Sequence, residues 1–205
     1  LAPPGVRVPE RAKRVQDVTT CIIISGSGEW DDDYEALFQA LFPFVQEHSN
    51  TQLFIDSQFS DQHRLWSHAE RFGLLSNMSL VPRRLGHREI LMSADVFIQP
   101  QALGRARSLT LQAMANCILV LARQYTVLDY LIEDETAWLV EDDDPRSWEK
   151  LLTRLVEDES QPSELGRTAR AWVQQHRTPT MQVTPVMSMY RSLSGESIQF
   201  PQGRP

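Results

Sequence analysis

The stretch Arg88–Ala122, REILMSADVFIQPQALGRARSLTLQAMANCILVLA, decides the fold. It reads as the end of a short helix (His87–Ser93), then a buried strand (Asp95–Pro100). A loop carrying Arg105 and Arg107 leads to a helix capped by Ser108 and running Leu109–Asn116, and a second buried strand follows at Ile118–Ala122. A loop that feeds a helix N-terminus presents unpaired backbone N–H groups and the positive end of a helix dipole, an arrangement suited to an anion such as phosphate.

Outward from that stretch the alternation continues. Thr20–Gly26 (TCIIISG) is an apolar run ending in a glycine turn, as a strand buried on both faces reads. Asp33–His48 places Leu37, Phe38, Leu41, Phe44 and Val45 on one helical stripe. Gln52–Asp56 and Met78–Pro82 are short strands, and between them Asp61–Phe72 is a helix closed by Gly73. After Ala122 the pattern predicts a helix at Val127–Glu133, a strand at Ala137–Val140 and a helix at Pro145–Val156 with Pro145 near its first turn. Further helices are expected at Ser163–His176 and Pro185–Leu193. Residues 1–19, with Pro3, Pro4 and Pro9, read as a linker, and 194–205 as a loose tail.

Strands alternating with helices at this spacing predict an α/β domain with a doubly wound parallel sheet, Rossmann-like, over residues 20–193. Ligands in such sheets bind beyond the carboxyl ends of the strands, where strand order reverses. That crevice would be lined by Gly26–Asp33 and Gln101–Ser108.

Composition narrows the function classes. The chain has 205 residues, 41% apolar and 23% charged, the profile of one globular domain. Its 20 basic and 27 acidic residues give a net charge of −7, which argues against a nucleic-acid partner. No apolar run approaches the roughly 18 residues of a transmembrane helix, and LAPPGVRVPERAKR has no apolar signal-peptide core. Cys21 and Cys117 sit in apolar strand-like surroundings and read as buried free thiols, which suits a cytoplasmic setting.

Gly26-Ser27-Gly28 invites a dinucleotide reading, but Trp30–Asp33 follow where the third glycine of that fingerprint belongs. The acidic run Asp31, Asp32, Asp33 is better explained as helix capping than as metal or catalytic carboxylates. Arg105 and Arg107 either hold a diphosphate by bidentate hydrogen bonds or are solvated loop residues. Arg83 and Arg84, after the third strand, either touch a base or phosphate or sit in a solvated turn. His63, His68, His87 and His176 have no metal spacing, so no metal site is expected. Ser–His–Asp, Walker-lysine and paired-cysteine zinc signatures are missing from the sequence.

Taken together these segments resemble the C-terminal, nucleotide-sugar-binding half of the group 1 retaining glycosyltransferases, which have the two-domain GT-B fold. Pro3-Pro4-Gly5-Val6 is similar to the PPGVD by which members enter this domain. Ser93–Pro100 (SADVFIQP) is close to SADVFVLPS, and Ser108–Ala115 (SLTLQAMA) to LVLLEAMA. Leu131–Asp158, Leu165–Gln175 and Met189–Leu193 fit the family's closing segments.

The resemblance implies transfer of a sugar from a nucleoside diphosphate sugar with retention and no obligatory metal or cofactor. It implies an acceptor domain of the same parent chain joined through residues 1–19, and little transfer by this half alone. Membrane contact would be peripheral and through that other domain.

Together the residues and the resemblance give an expected donor site of Gly26, Ser27, Arg105, Arg107, Ser108, Leu109 and Gln112, with Arg83 and Arg84 as candidate base contacts. Family members carry two glutamates seven residues apart after the fourth strand; here those positions are Gly104 and Gln112. An arginine and a lysine after the first strand are matched by Ser27 and Asp32. No residue takes a catalytic acid/base role. The alternative is a non-catalytic domain that keeps the fold as an interaction or regulatory module.

Overall fold

The apolar strands come together in one sheet. The computed structural model describes residues 19–26, 29–56, 62–81, 90–101, 107–125, 127–157 and 160–194. Among these, β1 (Thr20–Ile24), β2 (Thr51–Asp56), β3 (Met78–Val81), β4 (Val96–Gln99), β5 (Leu119–Arg123) and β6 (Trp138–Val140) pair in the order β3-β2-β1-β4-β5-β6, all parallel. Strand order therefore reverses between β1 and β4.

The strands read as unbroken apolar runs because both faces are covered. Ile22 and Ile24 of β1, Val96 and Ile98 of β4, and Leu119 and Leu121 of β5 face one core. That core is shared with α1 (Asp32–Glu47), α2 (Gln62–Arg71) and α4 (Pro145–Glu157). Ile23, Phe97, Val120 and Ala122 face the other core, with α3 (Arg107–Ala115) and α5 (Ser160–His176). Alternate residues of one strand serve opposite layers, which is the doubly wound arrangement expected from the sequence.

Several element ends follow from their caps. Asp31 is the N-cap of α1 and its side chain accepts from the Tyr34 N–H at 3.2 Å. Gly73, at φ +67°, ends α2 in a Schellman turn, with Leu74 N–H on the Ala69 carbonyl at 2.8 Å and Gly73 N–H on Glu70 at 3.0 Å. Helix α3 closes the same way without a glycine. Cys117 takes the left-handed position at φ 60°, with Ile118 N–H on the Ala113 carbonyl at 3.1 Å. Both cysteines are free and half-buried rather than fully buried. Asp95, the acidic residue of SADVFIQP, exchanges two bonds with Cys21, each 2.9 Å, and so fixes the start of β4 beside the start of β1.

The helix expected at Val127–Glu133 is corrected. Apolar Leu128, Tyr130 and Leu131 are buried, but by consecutive tight turns: Leu128 N–H reaches the Tyr125 carbonyl at 2.9 Å and Leu131 N–H the Leu128 carbonyl at 3.1 Å. The competing force is Thr136. Its fully buried hydroxyl donates to the Tyr130 carbonyl at 2.7 Å and accepts from the Ile132 N–H at 2.8 Å, taking backbone groups that a helix would have paired. Thr136→Val keeps the shape and orphans both groups. It is expected to lower stability by about 2 kcal/mol, read as a shifted urea midpoint at unchanged slope.

Helix α6 (Pro179–Ser194) begins six residues earlier than the sequence suggested. It exposes Met181, Val183, Val186, Met189, Tyr190 and Leu193 to solvent. No helix among the described residues is long and apolar enough to cross a membrane. The linker expected at residues 1–19 lies almost wholly outside the described residues, as does the short helix at His87–Ser93 except for its last turns.

Candidate functional site

The reversal of strand order marks the carboxyl ends of β1 and β4 as the place where sheets of this kind form their ligand cleft. On the β1 side the chain leaves the sheet through Ser25, which is buried and donates its N–H to the Ile98 carbonyl at 3.0 Å. The turn that follows is anchored by Trp30. Its buried indole stacks on His68 of α2 at 4.0 Å between ring centroids and meets Phe38 edge-on at 4.9 Å. His68 lies 3.3 Å from the Glu35 carboxylate, which also holds Arg71 at 2.6 Å, so α1, α2 and the turn form one clamp.

On the β4 side two glutamines leave the strand. Gln99, 1% exposed, accepts from the hydroxyl of Thr110, which is itself fully buried in the first turns of α3. This bond ties the strand to the helix that follows it. Gln101, 5% exposed, reaches across the cleft. Its Nε2 donates to the Glu29 carbonyl at 3.3 Å and to the Asp31 carboxylate. Asp31 thus serves two partners, the α1 amide and the Gln101 amide.

Gly26 lies beneath this bridge. A Cβ there would stand 2.6 Å from the Tyr34 hydroxyl and 2.7 Å from Gln101 Oε1. The bareness of Gly26 is used by the protein's own Tyr34 and Gln101, not by open space. Gly26 is itself half-buried, with Tyr34 and Gln101 against it.

Electrostatics divide the two walls. The β1 side carries Glu29, Asp31, Asp32 and Asp33. Burial pushes the Asp33 carboxyl up from its ordinary value, and Asp31, Asp143 and Asp32 push the same way, while Arg123 opposes them. Arg123, the last residue of β5, sits 3.2 Å from Asp33 and neutralises part of that wall. On the other side α3 starts at Arg107 and offers its N-terminal N–H groups, with no acidic residue in the first turn.

Of the residues expected at the site, Ser108 is exposed at the start of α3 and Leu109 is buried in the core, so only its backbone can meet a ligand. Gln112 lies one turn on and is half-buried. Gly26 follows β1 and α3 follows β4, the two strands between which the order reverses. Ser27, Arg83, Arg84, Gly104 and Arg105 lie outside the described residues, and of Arg107 only the backbone is described.

Sequence reasoning placed Gln101 only as the first residue of the crevice loop and missed Gln99, Tyr34 and Arg123. Polar Gln99 and Gln101 on either side of Pro100, at the end of an otherwise apolar strand, were the available signal. Among the described residues no group of three His, Cys, Asp or Glu is placed to hold a metal ion.

The family model of glycosyl transferases group 1 matches residues 10–172. Among curated proteins none matches the chain. Solved structures give the same fold at low identity. The C-terminal domain of a glycosyl transferase group 1 family protein (LpcC) from Francisella tularensis aligns with TM-score 0.66 and 15% identity, over 78% of this chain and 87% of that one. Sucrose-phosphate synthase from Thermosynechococcus elongatus aligns with TM-score 0.74 and 17% identity, over 96% and 53%. Anabaena Alr3699/HepE, solved in complex with UDP and glucose, aligns with TM-score 0.71 and 15% identity, over 87% and 49%. The chain spans about half the length of these last two.

Proposed function

We propose, from the premise that this chain belongs to the group 1 glycosyl transferases, that it is the donor-binding half of an enzyme that moves a sugar from a nucleoside diphosphate sugar to an acceptor. The observation that carries the reading is the placement of the family's most recognisable segment. SADVFIQP becomes β4 and leads directly to the N-terminus of α3 at the point where strand order reverses. The UDP complex of Anabaena HepE, a structure of the same fold, supports a nucleotide as the ligand class.

In this reading the diphosphate lies against α3, held by Arg105, Arg107 and the N–H groups around Ser108 and Leu109. The ribose is met by Gln112, whose amide offers both donors and an acceptor. Arg83 and Arg84 are proposed to reach the base. Transfer is proposed to proceed with retention and without an obligatory metal, at the cytoplasmic side. The acceptor is brought by a further domain of the same parent chain. The apolar side chains exposed along α6, and the chain's match to only about half of longer relatives, support such a domain.

The test is ligand-induced stabilisation. UDP, GDP and ADP, with their sugars, are titrated to millimolar concentration while the unfolding temperature is followed. Saturation at about one hundred times Kd adds about 2.7 kcal/mol to the native state, and Arg105→Ala with Arg107→Ala is expected to abolish the shift. If none of these nucleotides moves the unfolding temperature, the donor-site reading fails.

A second reading, a non-catalytic module on the same fold, is favoured by one feature. The acidic β1 wall has Asp31 at the α1 N-terminus and a half-buried Gly26, where a ligand phosphate would find carboxylates. The same titration separates the two.

A further inference from the structure

We propose that Arg123 is a phosphate-binding residue held in reserve by Asp33: the diphosphate of the donor takes the guanidinium over from the carboxylate, and the ion pair re-forms when the ligand leaves. The inference rests on the donor-site reading above and adds to that same site a residue that the sequence motifs did not include.

Three observations place the pair. The first is position. Arg123 is the last residue of β5, Asp33 stands in the first turn of α1, and Arg123 Nε lies 3.2 Å from the carboxylate. In the sheet β4 lies between β1 and β5. A contact from the helix after β1 to the end of β5 therefore passes beside the carboxyl end of β4, where sheets of this kind bind ligands. The second is incomplete engagement. Nη1 reaches the Val140 carbonyl at 3.5 Å, Nη2 has no partner among the described residues, and the side chain is 22% exposed. A guanidinium fork with one edge unused can still take an oxygen of a phosphate. The third is charge. Asp31, Asp32 and Asp33 line the start of α1, and Asp32 stands where family members carry a lysine. Arg123 brings a positive charge to that wall from another strand.

The surroundings of Asp33 make the exchange possible. Burial pushes its carboxyl toward the neutral form more than any other influence; Arg123 opposes this, and Asp31, Asp143 and Asp32 add to it. Asp142 is a further carboxylate that acts on the Arg123 charge. When a ligand phosphate draws Arg123 away, every remaining influence on Asp33 favours protonation. The carboxyl then takes up a proton instead of standing as an uncompensated, half-buried charge. Binding is thereby coupled to proton uptake. It strengthens as the pH falls through the pKa of Asp33 in the complex, and levels off below the pKa of the paired carboxyl.

The experiment compares the wild-type chain with Asp33→Asn, Arg123→Gln and the double variant. Asp32→Asn measures what one fewer negative charge does on that wall without touching the pair. UDP, GDP and ADP are titrated calorimetrically into each protein, in two buffers of different ionisation enthalpy so that protons are counted. Arg123→Gln is expected to weaken the preferred nucleotide about tenfold. Asp33→Asn is expected to tighten it about threefold, more than Asp32→Asn does, and to lose that excess in the Arg123→Gln background. Proton uptake is read as wild type minus Asp33→Asn, which cancels the titration of the ligand's own phosphate. The proton count and the comparison of Asp33→Asn with Asp32→Asn need no variant of Arg123, so a failure of Arg123→Gln to fold leaves them decisive. Equal affinities of wild type and folded Arg123→Gln, or an Asp33→Asn gain no larger than that of Asp32→Asn, overturn the exchange and leave the donor site standing. Binding by none of the proteins removes the donor site, and the exchange with it.

Discussion

Gly166→Ala is expected to destabilise the domain by about 3 kcal/mol, although alanine is the better helix former by about 1 kcal/mol. The glycine lies inside α5 where that helix crosses the turn between α3 and β5. A Cβ there would stand 2.4 Å from the Cys117 carbonyl oxygen and 2.9 Å from its carbon. Both are backbone atoms, and the turn cannot yield cheaply. Cys117 already sits in the left-handed region, its N–H bonds the Met114 carbonyl at 3.0 Å, and Arg170, one turn further along α5, holds the Ala115 carbonyl at 2.6 Å. Relief must come from moving α5 off α3, which opens the core containing Ala113, Ala169 and Val173. Denaturant unfolding gives the sign directly. A gain in stability, as helix propensity alone would produce, refutes the close approach.

Trp148→Ala carries the second large effect, an expected loss of about 3–5 kcal/mol. Trp148 of α4 is wholly buried in the core that α4 shares with α1, beside Leu151 and Leu152 of its own helix. Truncation leaves a cavity that the stiff sheet beneath cannot fill. The matched substitution Trp148→Phe is expected to cost much less. The indole N–H is buried with no acceptor among the described residues, so phenylalanine removes an orphan donor along with some packing. Comparable losses in the two variants, measured by the same unfolding midpoint, would show that the site depends on the indole rather than on filled volume.

The two predictions fall on opposite faces of the sheet, and both faces were foreshadowed in the chain. Ile22, Ile23 and Ile24 are consecutive apolar residues, as are Val96, Phe97 and Ile98. A run of that kind has no polar side to turn to water, so a parallel sheet covered twice is its consistent solution. Periodicity failed at Val127–Glu133 because Leu128, Tyr130 and Leu131 are buried by turns. A pattern of burial does not say which backbone pairing achieves it. The deciding residue, Thr136, stands outside the misread segment.

At the site, chemistry was legible where it depends on neighbours in sequence. Asp31 caps α1, because a cap acts within one turn of its own helix, whereas α3 begins at Arg107, one residue before the cap expected at Ser108. Asp95 was legible as part of the family's pattern but not in its role. It fastens β4 to β1 at the end of the sheet opposite the cleft, so the most recognisable motif is partly a clasp of the fold.

The sequence by itself determined the order of the strands, the doubly wound sheet and the family, since these follow from local apolar runs, caps and matched segments. Only the tertiary structure decided which side chains stand against Gly26. Gly26, Tyr34 and Gln101 meet because β1 pairs with β4 rather than with β5, and pairing between distant strands is set by the packing of both layers at once. A glycine followed by polar residues reads the same whether the space above it is open to a phosphate or filled by a glutamine from another strand, because no short-range interaction distinguishes the two.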